Sequence, residues 1–209
     1  MSLMFDDERV MIRDMARKFA EDRLLPHSEE WDRDSHFPVD VIRSTAELGF
    51  AGIYVKEDVG GSGLTRTDAA LIFEQLSYGD VSTAAFISIH NMASWMIDTF
   101  GSDAQRKAWL PRLTSMELIA SYCLTEPGAG SDAASLKTKA VRDGDEYVIT
   151  GTKQFISGAG TSDVYVLMAR TSDDGAKGVS AFIIEKDTPG LSFGANERKM
   201  GWKSQPTRQ

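Results

Sequence analysis

The sequence predicts an α+β chain, with an N-terminal all-α domain over residues 1–117 and an antiparallel β-domain over residues 118–209. Three observations predict it. Up to about residue 117, apolar residues recur at helical spacing between polar caps. Beyond Leu118 they alternate at strand spacing, and eleven of the 18 glycines lie there. The stretch "LKTKAVRDGDEYVITG" sets two alternating runs around Asp143-Gly144, which signals a hairpin. The chain shows no internal repeat and no low-complexity linker.

The first helix carries Ile12, Met15, Ala16, Phe19 and Ala20 on one stripe and ends at Pro26. A short helix follows Pro38 and stops at Gly49, which suits a C-terminal cap. The next carries Ala69, Ile72, Phe73 and Leu76, starts at a Thr65/Asp68 capping box and stops at Gly79. Residues 82–100 are apolar nearly all round, so that helix is buried on most sides. Ser102 with Gln105 caps one more, with Pro111 as a kink. "ASYCL", "DVYVLMAR" and "VSAFIIEKD" read as strands beside the hairpin.

Composition narrows the function. A chain of 209 residues buries roughly 70% of its unfolded surface and needs no staples. Its one cysteine, Cys123, rules out an internal disulfide and fits a reducing compartment. With 31 acidic against 23 basic residues the formal charge is −8, which disfavours nucleic acid. No apolar run approaches a membrane span, and the acidic, amphipathic N-terminus lacks signal or transit character. A cytoplasmic protein is expected, without membrane or nucleic-acid partners.

Two stretches carry possible chemistry. In "YCLTEPGAGSD" (122–132) a strand delivers a glycine turn ending in Ser131-Asp132. A dinucleotide fingerprint must open a helix, but here Pro127 precedes the first glycine and a hairpin follows within a dozen residues. Backbone N–H groups of such a turn, with the Thr125 and Ser131 hydroxyls, can hold a phosphate or the polar edge of a large cofactor. They can equally form an ordinary loop whose hydroxyls bond their own backbone. In "TKQFISGAG" (152–160) strand alternation would put Phe155 and Ser157 on one face and Ile156 on the other. That pairing suits a planar heterocycle, or else a core Phe with a surface Ser. No metal spacing exists around His27, His36 and His90, and His90 reads as a core histidine. Cys123 has no basic neighbour in sequence and reads as inert.

Taken in order, "YVKEDVGGSGL" (54–64), "YCLTEPGAGSD" and "GTKQFISGAG" resemble the acyl-CoA dehydrogenase family over almost the whole chain. The resemblance implies FAD as cofactor and an acyl-CoA thioester as substrate. Tyr122, Leu124 and Thr125 would border the flavin ring, with Leu124 acting through its backbone. Gly130 and Ser131 would meet the phosphate-bearing side, and Ser131 would also reach the acyl-CoA. Phe155 would pack beside the ring, Ile156 next to it, and Ser157 would bond near the reactive nitrogen. Phe155 and Ser157 stand where the family usually has tryptophan and threonine. "GWKSQPTR" points to the branched short-chain members, with Phe86, Ile89 and Met92 on the buried helix as candidates to shorten the acyl pocket.

The resemblance also implies a homotetramer and an electron-transfer flavoprotein as acceptor. The family's catalytic glutamate comes from a C-terminal helical domain that residues up to Gln209 do not include. The β-domain would then be truncated, no residue here is the catalytic base, and these 209 residues alone are expected to give no turnover. A non-catalytic binding or assembly module and an acyl-CoA oxidase are the alternatives.

Overall fold

The computed structural model describes residues 6–209, which its contacts divide into two units. In the first, Asp6 caps helix α1 (Asp7–Phe19) by accepting the Arg9 N–H at 2.9 Å. A π-helical turn, Ala20–Leu24, follows. Helix α2 (Ser28–Asp34) was not expected, since seven residues are too few to display a period. Its one buried residue, Trp31, stacks on His27. Helix α3 (Val39–Ser44) continues as a 3₁₀ turn to Leu48 and ends at Gly49, whose φ of 74° is the expected left-handed cap. Helix α4 (Arg66–Gly79) has the Thr65/Asp68 capping box, and α6 (Asp103–Thr114) the Ser102/Gln105 one. Between them α5 (Val81–Phe100) is buried on most sides, as its composition requires.

Asn91 of α5 organises the segment before α4. Its Oδ1 accepts the Ile53 N–H at 2.7 Å, and its Nδ2 donates to Phe50 O at 2.7 Å and Ile87 O at 3.0 Å. The Gly-Gly-x-Gly loop folds back on that segment, with Gly63 N–H donating to Val55 O at 2.9 Å. A Cβ on Gly61 would lie 2.1 Å from Val55 O, so only glycine allows that approach.

The second unit contains Ile119–Arg198 and Pro206–Gln209. Its strands are β1 (Ala120–Cys123), β2 (Lys139–Asp143), β3 (Glu146–Thr150), β4 (Ile156–Ser157), β5 (Val164–Arg170), β6 (Val179–Glu185) and β7 (Thr207–Arg208). The expected antiparallel pairing holds for β2–β3, β5–β6 and β4–β7. The larger sheet is nevertheless mixed, because β1 and β5 run parallel from Ala120↔Val164 to Cys123↔Leu167 and β2 meets β5 in parallel at Lys139↔Arg170. The long connection between β1 and β5 makes a parallel crossover possible, which a hairpin link could not. The hairpin closes at Asp143↔Glu146, so its two-residue loop is Gly144-Asp145, one position later than the sequence suggested. Gly144, at φ 61°, supplies the left-handed geometry that such a loop needs.

One further difference concerns the end of the chain. The sequence reading placed all of residues 118–209 in the β-domain, but Lys199–Gln205 contact the helical unit. There the Lys203 N–H donates to Asp32 Oδ1 at 2.8 Å, and Ser204 Oγ lies 3.4 Å from Asp80 Oδ2.

Candidate functional site

The candidate site is built from the two sequence stretches, both within the sheet-containing unit. Strand β1 ends at Cys123, and the chain turns at Glu126, whose backbone exchanges hydrogen bonds with Ala129 at 3.0 and 3.1 Å. The Glu126 side chain is buried. Its carboxylate accepts the Lys137 N–H at 2.6 Å, the Thr138 N–H at 2.9 Å and the Lys153 ammonium at 2.8 Å. Burial alone would raise its pKa, but these donors outweigh burial and hold it at about 2. A carboxylate committed to three donors is a structural post and not a free base.

Lys153 ties the second stretch to the first. Besides Glu126, its Nζ donates to Leu124 O at 2.9 Å. The next residue, Gln154, donates its N–H to Thr125 O at 2.8 Å. Ser121 Oγ donates to Ser157 O at 2.6 Å and shares a hydrogen bond with Ser162 Oγ at 2.6 Å. Strand β7 closes over β4, pairing Ser157 with Thr207.

Within residues 152–160 the expected strand is confined to Ile156–Ser157. Phe155 departs from it with φ 58°, a left-handed conformation uncommon for a bulky residue. Simple alternation therefore fails, although Phe155 is 57% exposed, Ser157 is half-buried and Ile156 lies in the core. Tyr122, Leu124 and Thr125 are half-buried, and Gly130 and Ser131 stand exposed on the turn. The hydrogen bonds above thus join Leu124 and Thr125 to the Phe155 segment. They do not join Gly130 or Ser131 to it.

The polar atoms of the turn are open. The ordinary-loop reading requires the Thr125 and Ser131 hydroxyls to bond their own backbone. Among the described residues neither hydroxyl has a hydrogen-bond partner. Gly128 and Gly130 have neither a positive φ nor any atom within 4 Å of an added Cβ. Nothing among the described residues thus demands glycine at either position. Hydroxyls, bare glycine backbone and an exposed ring with a hydroxyl two residues on offer hydrogen-bond donors and an apolar face to a ligand.

Other candidates resolve into structure. His90 is fully buried, its Nε2 lies 3.1 Å from Leu113 O, and burial drives its pKa down to about 4. Burial pushes the Cys123 thiol up to about 12, against a smaller opposing effect of Lys153. Phe86 is buried edge-on to Phe37 at 4.8 Å, whereas Ile89 and Met92 are half-buried. Among the described residues no three His, Cys, Asp or Glu side chains could hold a metal ion, and no helix is long and apolar enough to cross a membrane. Sequence reasoning missed Lys153. The signal was a lone lysine in one motif and a carboxylate without a role in the other.

Comparison with known proteins places the chain in a family. Residues 6–117 match the acyl-CoA dehydrogenase N-terminal domain, and residues 121–209 match the acyl-CoA dehydrogenase middle domain. The chain belongs to the acyl-CoA dehydrogenase family. It is 57% identical over 208 residues to the mitochondrial isobutyryl-CoA dehydrogenase of Dictyostelium discoideum, covering 99% of this chain and 50% of that protein. It superimposes on butyryl-CoA dehydrogenase from Megasphaera elsdenii with a TM-score of 0.93 at 32% identity, covering 100% of this chain and 56% of that one. The FAD complex of PigA gives 0.94 at 32% identity, covering 100% and 55%. The chain spans about half the length of the curated relatives it matches.

Proposed function

We propose that these residues form the flavin- and thioester-binding half of an acyl-CoA dehydrogenase site, which acts on a short branched acyl-CoA such as isobutyryl-CoA. The open hydroxyls of Thr125 and Ser131 around two glycines that the fold does not require carry this reading. FAD, when bound, supplies the redox chemistry by accepting a hydride equivalent from the acyl β-carbon. Tyr122, Leu124 and Thr125 border its ring, Phe155 and Ser157 flank it, and Ile156 backs that segment from the core. Gly130 and Ser131 take the phosphate-bearing side, and Ser131 also reaches the thioester. None of these groups removes the α-proton, and Glu126 is spoken for by its three donors.

A homotetramer, an electron-transfer flavoprotein as acceptor, a cytoplasmic location and silence of these 209 residues as an isolated catalyst belong to the same proposal. Identity to an isobutyryl-CoA dehydrogenase supports the substrate. The test is a visible spectrum of the purified protein, titrated with FAD and then with isobutyryl-CoA. Flavin bands that bleach on adding the thioester are expected of the full-length protein. In Gly130→Ala the melting temperature should hold while FAD affinity drops at least tenfold. Absence of flavin binding in the full-length protein overturns the proposal.

A further inference from the structure

Resting on the flavin reading above, the geometry points to Lys153 as a positioning residue that strengthens the Thr125 N–H as a donor to the flavin, with Glu126 holding Lys153 in place. Leu124 O accepts the Lys153 ammonium at 2.9 Å, Thr125 O accepts the Gln154 N–H at 2.8 Å, and Glu126 O accepts the Ala129 N–H at 3.1 Å. Every carbonyl of this stretch is therefore turned onto the chain itself. The Thr125 N–H and hydroxyl have no hydrogen-bond partner among the described residues.

Leu124 O and the Thr125 N–H are two ends of one peptide group. A cation donating to the oxygen draws electron density toward it and leaves the N–H more positive, because hydrogen bonds in series polarise one another. A donor that is charged is roughly twice as strong as a neutral one, so the effect exceeds that of an ordinary backbone bond. Burial adds to it. Side chains of Lys153 and Glu126 are each only 7% exposed, so water screens the contact little. Glu126 restrains the lysine through a bond of 2.8 Å and is itself fixed by the Lys137 and Thr138 N–H groups. The arrangement resembles an oriented second layer around a cofactor, which tunes the group in contact without touching the ligand.

The chemical consequence has a definite sign. A reduced flavin is richer in electrons than an oxidised one, so a stronger N–H donor favours the reduced form. Lys153→Met removes the charge but keeps a side chain of similar length, whereas Lys153→Arg keeps a cation able to reach an oxygen acceptor. Two readouts separate polarisation from simple scaffolding. In flavin-free protein, the Thr125 amide ¹⁵N and ¹H resonances shift upfield in Lys153→Met and return toward wild type in Lys153→Arg. In the flavin-loaded full-length protein, Lys153→Met loses about tenfold in preference for reduced over oxidised flavin, a fall of about 30 mV for a two-electron couple, and Lys153→Arg recovers at least part of it. The inference is overturned if Lys153→Met binds flavin with unchanged potential and unchanged Thr125 resonances. It is equally overturned if the arginine variant behaves as the methionine one. If the wild-type protein takes up no flavin, the flavin reading fails instead, and the Thr125 resonances still report whether the lysine polarises that peptide.

Discussion

Replacing Glu126 by glutamine mimics its protonated form, so the variant measures what the ionised carboxylate contributes to folding. The group has an ordinary pKa of 4.5 and is held at about 2 in the folded chain. At about 1.4 kcal/mol for each tenfold change in proton affinity, that gap corresponds to on the order of 3 kcal/mol. The folded value is depressed, so the stability is fully present above pH 4.5 and disappears as pH falls through 2. At pH 3 less than half of it should remain. The assay is a series of urea melts of wild type and Glu126→Gln between pH 7 and pH 3, followed by far-UV circular dichroism. Amide exchange at Lys137 and Thr138, which donate to the carboxylate, provides a local check. A gap between the two proteins of under about 1 kcal/mol at pH 7, or one that stays constant down to pH 3, would refute the reasoning.

Gly61→Ala should destabilise the helical unit by about 2–3 kcal/mol, since the new methyl must displace the Val55 carbonyl; denaturant melts read it. Phe155→Gly relieves the left-handed residue but gives up the buried part of a ring that is 57% exposed, so the two effects offset and the melting temperature should change little. The same change should weaken flavin binding, so an FAD titration that moves while the melt does not is the expected pair. Cys123 should resist iodoacetamide at pH 8 in native protein and react within minutes in urea, as mass spectrometry would show.

Most of the helical unit was legible in the sequence because its signals are local. Thr65 with Asp68 and Ser102 with Gln105 mark helix starts by residue type alone, and both boxes form. Gly49 marks a stop for the same reason. Helix α2 escaped because it has one buried residue and hence no period. In the β unit the strands were readable by alternation, but their direction was not. Whether β1 and β5 run parallel depends on a crossover path that no short window encodes. The site shows the same division. The turn and the Phe155 segment were visible as motifs, whereas the Lys153 bridge joins residues 27 and 29 positions apart and emerges only on folding. The left-handed Phe155 was hidden because an aromatic residue in a β-like run predicts an extended backbone.

The pairing of β4 with β7 has a consequence for how the molecule is made. Ser157 finds Thr207 only after the intervening residues have left the ribosome. Until then the Phe155 segment has its Ser121 and Thr125 anchors on one side and an unpaired edge on the other. Strand β1 and the hairpin can be in place much earlier, so the Phe155 edge is among the last parts of the sheet unit to close. Nascent chains arrested just short of residue 207 should therefore be more easily cleaved by protease near Phe155 than chains released beyond it.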